Sequence, residues 1–181
     1  MNKKNLNNKG FALLLSLIIS SIVLSIGLSM LNITLKQLTL GTTTRGSEIA
    51  FQTASAGMEC LRYTRTAKSA DFVAGNPVIA DCLVTTASTR SQPDTDVDLY
   101  HFDDMDWSIS GGSQCIDMDV YIFNASVTGA NADVTADARG VSKTCSAGDI
   151  CTYGFVQGYN RSCAEITSSI FTVQRELTIE F

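Results

Sequence analysis

From Phe11 to Leu31 the chain runs for 21 residues without a charge and with nothing more polar than serine. At ~1.5 Å per residue, a helix of this length covers roughly 32 Å, close to the ~30 Å hydrocarbon core of a bilayer. The ten residues before it carry Lys3, Lys4 and Lys9 and no acid. Positive charge ahead of a span predicts a cytoplasmic N-terminus and an outward-facing remainder. A secretory signal peptide fits poorly. Its apolar core is about 7–15 residues long and is followed directly by a small-residue cleavage site. Here the nearest A-x-A pattern is Ala54-Ser55-Ala56, well beyond the run. A plain N-terminal anchor is the simplest alternative.

The full chain has 181 residues, so about 150 remain beyond the span, enough for one domain with its own core. Net charge is −5, and from Phe11 onward it is −8, ten basic against eighteen acidic residues. That balance gives no strong nucleic-acid signal, since binding without sequence preference needs dense Lys/Arg. All six cysteines, Cys60, Cys82, Cys115, Cys145, Cys151 and Cys163, lie on the side expected to face outward. An even count there reads as three disulfides formed in an oxidising compartment. Zinc would want C-x₂₋₄-C pairs or histidine ligands, and the closest pair, Cys145 and Cys151, has five residues between its members.

Within the span, Ser21, Ser25 and Ser29 recur every four residues on one helix face, and Ser16, Ser20 and Gly27 group on another. Small residues at such spacing let helix backbones approach closely; alternatively each serine bonds a carbonyl of its own preceding turn. Ile33, Leu35, Leu38 and Leu40 extend the apolar helix, and the run Gly41 to Gly46, rich in threonine, is expected to kink or melt it. Beyond it, Ala50, Ala54, Gly57, Met58 and Leu61 form one face of an amphipathic helix.

From Lys68 the pattern turns to β. Short strand signals lie at Val78–Ala80 and Cys82–Val84, and Ser91-Gln92-Pro93-Asp94 marks a turn. Leu99 to Ile109 holds one or two strands, and Gly111-Gly112 is a turn. Cys115 to Asn124 alternates cleanly, with Ile116, Met118, Val120 and Ile122 on one side. Ser126 to Ile150 reads as loop, Thr152 to Gly158 as strand, and Phe171 to Phe181 as an alternating strand. The expected architecture is α+β: a long N-terminal helix packed on an antiparallel sheet.

No catalytic residue, cofactor site or metal site is expected. Asp94, Asp96, Asp98, Asp103, Asp104 and Asp106 invite a calcium reading, but an EF-hand counted from Asp94 would need glycine and glutamate where Leu99 and Met105 stand. A solvated acidic loop is the better reading. His101 is the only histidine and no G-x-S-x-G elbow accompanies it. Trp107, Tyr100, Tyr153 and Tyr159 divide between core and an exposed contact surface.

The junction Lys9-Gly10-Phe11, a short basic leader ending in glycine before the apolar helix, resembles the class III signal of type IV pilins and pseudopilins. The stretch Ile49 to Cys60 is similar to the segment that ends the long helix in PilX-type minor pilins, and Gly158 to Cys163 with the final strand looks like a pilin C-terminal pattern. The resemblance implies cleavage by a prepilin peptidase between Gly10 and Phe11, and N-methylation of Phe11. It also implies burial of the helix against other pilin subunits. Most pilins carry a glutamate five residues into the mature chain; here Leu15 stands there. A carboxylate is costly in lipid, and a subunit without one needs no partner amine, which suits a filament tip.

These readings divide the chain into a leader (1–10), a transmembrane or filament-core helix (11–31), its continuation packing on the head (32–66) and a disulfide-stapled β-rich head (67–181). Spacing leaves fifteen cysteine pairings open. The expected ones are Cys60–Cys82 from helix end to next strand, Cys115–Cys163 across the sheet, and Cys145–Cys151 as a local staple, each contributing about 2–4 kcal/mol. The expected function is structural: a minor pilin or pseudopilin held singly in the cytoplasmic membrane, then displayed outside the cell in a pilus or type II secretion-like filament. Its head would serve adhesion, DNA uptake or assembly initiation. The alternative is a permanently anchored extracytoplasmic binding domain that never polymerises.

Overall fold

The computed structural model describes residues 8–82, 87–94, 97–109, 112–124, 132–136, 141–146 and 148–181. Its first element is one helix of 60 residues, α1 (Asn8–Ala67). It is shared by two compact units, one reaching to Thr44 and the other running from Arg45 to Phe181.

Among its described residues, the first unit is α1 alone. Most of its hydroxyls bond carbonyls of the preceding turn. Ser16, Ser20, Ser21 and Ser25 each donate to the carbonyl three residues back, at 2.8–3.0 Å. The Gly41–Gly46 stretch does not interrupt the helix, contrary to the expectation from its composition. Thr42, Thr43 and Thr44 donate to the carbonyls of Thr39 and Leu40 at 2.8–2.9 Å, so their hydroxyls support the helical turn rather than compete with it.

The second unit contains the rest of α1, a short helix α2 (Ser69–Ala74) and strands β1 (Thr89–Asp94), β2 (Val97–Ile109), β3 (Gly112–Asn124), β4 (Ala132–Ala136), β5 (Val141–Cys145), β6 (Ile150–Tyr159) and β7 (Gln174–Glu180), with a 3₁₀ turn at Cys163–Glu165. Five strands form an antiparallel sheet in the order β1-β2-β3-β6-β7, and β4 and β5 pair separately. The fold is α+β, a long apolar N-terminal helix packed on a five-stranded antiparallel sheet.

The helix meets the sheet through its smallest side chains. Ala50, Thr53, Ala54 and Leu61 are fully buried. Approach is closest at Gly158 of β6, where a Cβ would lie 2.2 Å from the Ala54 nitrogen and 2.5 Å from the Ala50 oxygen. Gly46 also serves close approach: a Cβ there would meet Asn160 at 2.9 Å. Between helix and sheet lies the main core, built on Leu61, Phe72, Tyr100, Phe102, Ile116 and Val156. Tyr100 is core, not contact surface: its hydroxyl donates to the Phe72 carbonyl at 2.9 Å and its ring meets Phe72 edge-on at 4.9 Å.

The other face of the sheet is also buried at one end, by a second cluster of Val97, Leu99, Tyr121, Phe123 and Phe155. Simple alternation in β3 concealed this, because Tyr121 stands with Asp117 and Asp119 on the side opposite Ile116, Met118, Val120 and Ile122. Other expectations are corrected as well. Residues 68–75 contain α2, closed by Gly75 at φ 73°. Around Ile79 there is a single bridge to Ala87 rather than a strand; 83–86 lie outside the described residues. Ser91–Pro93 belongs to edge strand β1, whose register shifts between Ser91 and Asp94, which accommodates the proline. The stretch read as loop from Ser126 contains β4 and β5. The expected turn at Gly111-Gly112 falls partly outside the described residues, and Gly112 opens β3. β7 is shorter than the alternation suggested and Phe171 is exposed outside it. Phe181 is nonetheless tied to Thr152 by two backbone bonds.

Three disulfides, Cys60–Cys82, Cys115–Cys163 and Cys145–Cys151, hold this unit, and they are the expected pairs.

Candidate functional site: an uncovered apolar helix

The most unusual surface is the first half of α1. Phe11, Leu13, Leu17, Leu24 and Met30 are 63–70% exposed, and the apolar exposure continues through Leu40. None of the most apolar stretch is buried, and the helix is long and apolar enough to cross a membrane. Water is a poor solvent for such a surface. Gly10 lies in the first turns of α1 and Phe11 is the first exposed apolar residue of the run.

Along one side Ser16, Ser20, Val23 and Gly27 form a shallow apolar groove with Leu24 and Leu31. The serine hydroxyls are bonded within the helix, so they act there as small residues rather than as donors in search of a partner. At Gly27 a Cβ would meet nothing within 4 Å, and the same holds for Gly41. Nothing within this unit requires glycine at either position.

Among the described residues, the acidic side chains from Asp94 to Asp106 form no group of three around one point. Asp98 accepts two bonds from Arg90, at 2.6 and 2.9 Å. Asp106 accepts from the Cys163 backbone at 3.3 Å, and Asp104 at φ 55° donates its backbone N–H to Asp117 at 2.9 Å. Burial, then the nearby Asp103 and Asp104 charges, raise the Asp117 carboxyl above its ordinary value; the Asp104 N–H opposes that rise. The side chain of Asp94 and all of Asp96 lie outside what is described. Asp104, Cys115 and Cys163 come together, but both sulfurs are spent in one disulfide and offer no thiolate. His101 pairs across strands with Asp119 at 2.6 Å. Trp107 packs on the main core and Tyr153 on the second cluster, both half-buried, and the Tyr159 hydroxyl donates to Gln157.

A polar recess of about 300 Å³ lies where the start of β3 meets the segment after β6. Its walls include Ser113, Gln114, Arg161, Ser162 and Glu165. Its residues come from stretches nearly fifty positions apart and follow no motif, so only the fold brings them together.

The fold and this surface define an α+β protein with, among the described residues, one apolar helix fit to span a membrane and a disulfide-bonded domain that follows it. No protein-family model, curated protein or solved structure matches the chain.

Proposed function

We propose that the chain is a type IV pilin-like minor subunit or pseudopilin. It is made as a prepilin, cut after Gly10 by a prepilin peptidase and methylated at Phe11. It resides in the cytoplasmic membrane through Phe11–Leu31 and is then drawn into a pilus or type II secretion-like filament, where the helices of other subunits take the place of lipid. The observation that carries this reading is the uncovered first half of α1, continuous with a half whose inner face is buried. Moving such a surface from lipid to neighbouring helices keeps it out of water throughout. Gly27, unexplained inside the chain, supports a close helix partner. Leu15 leaves no carboxylate to be paired in the filament, which favours a tip position over a repeating one. The role is structural, not enzymatic: the displayed domain serves adhesion, DNA uptake or assembly initiation.

The test is the intact mass of the protein from its native membrane or filaments without reduction. The expected mass begins at methylated Phe11 and is six hydrogens short. A mass that keeps Met1–Gly10 overturns the reading in favour of a permanently anchored extracytoplasmic binding domain.

A further inference from the structure

We propose that the turn carrying Ile170 and Phe171 enters the lipid–water interface and gives the second unit its own contact with the membrane. This contact rests on α1 residing in a membrane, not on assembly of the chain into a filament.

Ile170 is 90% exposed and Phe171 69%, more than any other large apolar side chain described in the second unit. Adjacent apolar side chains left in water cost free energy, and a lipid interface relieves that cost. The turn that presents them is firmly held. The Cys115–Cys163 disulfide pins its start. Asn160 closes its base, donating to the Phe171 carbonyl at 3.2 Å and accepting from the Val173 N–H at 2.8 Å. Inside it, the Ser168 and Ser169 N–H groups donate to the Glu165 carbonyl, and the Thr172 hydroxyl lies 3.0 Å from the Ser169 carbonyl. A turn held this way loses little freedom on meeting a surface.

Its place in the fold selects lipid as the occupant. Along β6 the helix neighbours run backward through α1: a Cβ at Gly154 would meet Leu61, and one at Gly158 would meet Ala54 and Ala50. Asn160, next after β6, packs on Gly46, and Arg175 donates to the Ser47 hydroxyl at 2.6 and 2.8 Å. The turn therefore lies at the end of the second unit where α1 enters it. Six residues, roughly 9 Å of helix, separate Gly46 from Leu40, where the exposed apolar run ends. Headgroups add roughly 5–7 Å at each face of the hydrocarbon core. From Phe11 to Leu40 the helix covers roughly 45 Å, more than the ~30 Å core, and tilting relieves such a mismatch. Charge agrees with this placement. No acid precedes Glu48 and none lies between Glu165 and Glu176, whereas Lys36, Arg45 and Arg175 are basic. Anionic headgroups attract such a pattern.

The test uses the full-length protein in vesicles of phosphatidylcholine and phosphatidylglycerol, with Trp107→Phe removing the only tryptophan. Three single reporters are compared: Phe171→Trp, Leu24→Trp within the span, and Val73→Trp, an exposed apolar position in α2 beyond the other end of α1. Lipids brominated near the headgroup or near the chain ends quench only tryptophan at their own depth. The shallow bromines should quench Phe171→Trp about twofold or more over Val73→Trp, and the deep ones should quench Leu24→Trp. Adding Ile170→Glu should cut the Phe171→Trp quenching by about half or more. Intact mass and thermal unfolding confirm that each variant keeps its disulfides and fold. If Trp107→Phe unfolds the unit, the reporters are read as differences from the parent protein. Quenching of Leu24→Trp without quenching of Phe171→Trp overturns the contact and leaves α1 in the membrane. An unquenched Leu24→Trp overturns both. A Phe171→Trp emission that shifts to the blue as protein-to-lipid ratio rises, without quenching, assigns the pair to a second copy of the chain and equally overturns the contact.

Discussion

The two halves of α1 share one hydrogen-bonded helix and almost nothing else. Up to Thr44 its large side chains are Leu, Ile, Val and Phe, and they are uncovered. From Arg45 its inward positions are mostly Gly, Ala and Thr, joined only near its end by Cys60 and Leu61, and they are sealed. Side-chain size alone would suggest the reverse, because large apolar residues are the usual core formers. The difference shows that the second half is shaped by how closely β6 approaches it, whereas the first half is shaped by a surrounding that the chain does not itself provide. Glycine makes the point most sharply: at Gly158 a Cβ collides with helix backbone, while at Gly27 it meets open space.

The contrast is most easily broken at Gly158. Gly158→Leu drives a side chain into the Ala54 nitrogen and Ala50 oxygen, backbone atoms that cannot move aside without the helix. A loss of about 4 kcal/mol or more is expected, read as a lower thermal midpoint by near-ultraviolet circular dichroism of the full chain in detergent. An unchanged midpoint would mean that the helix does not sit on β6 as described. The disulfides come next. Replacing Cys115 and Cys163 together by serine opens a separation of 48 residues, against 6 for Cys145 and Cys151. Loop-closure entropy makes the first removal costlier by about 2 kcal/mol, and equal losses would show that local geometry outweighs chain entropy here.

At Gly27 the same type of change should leave the isolated chain alone. Gly27→Leu is expected to give an unshifted midpoint in detergent, since nothing lies within reach of the new side chain. Incorporation into filaments, if the proposed assembly holds, should fall sharply. A variant that assembles normally would remove Gly27 as a helix-contact position.

Most of the architecture was legible because periodicity reports burial on one face. The apolar span, the buried stripe of Ala50, Ala54 and Leu61, and the core side of β3 all follow from it. Features that depend on distant partners were not legible. Tyr121 looks outward until the second cluster is assembled around Phe155, and Gly46 looks like a helix breaker until Asn160 packs against it. Thr42 to Thr44 count against a helix by propensity, yet their hydroxyls bond the preceding turn. At the candidate site, the span and its junction at Gly10 and Phe11 are local in sequence and were visible. The recess at Gln114 and Arg161 is not local and was invisible.

The smallest effect expected separates the halves by pH. The chain has no acid before Glu48, so carboxylate-linked stability belongs to the second half. Within it, burial holds the Asp117 carboxyl above its ordinary value of 3.8. A carboxyl raised by folding binds its proton more tightly in the folded state than in the unfolded one. Its contribution is therefore most favourable below that ordinary value, falls as pH rises through the folded value, and is constant above it. Asp117→Asn removes the charge, and its side-chain oxygen can still accept the Asp104 N–H. The variant should gain stability relative to the parent as pH rises from about 4 toward 7, with no gain at the acid end. Thermal midpoints of the two proteins across that range decide the matter. A gain that grows toward acid would mean that hydrogen bonding to the Asp117 carboxylate outweighs its desolvation, reversing the order of the forces at this position.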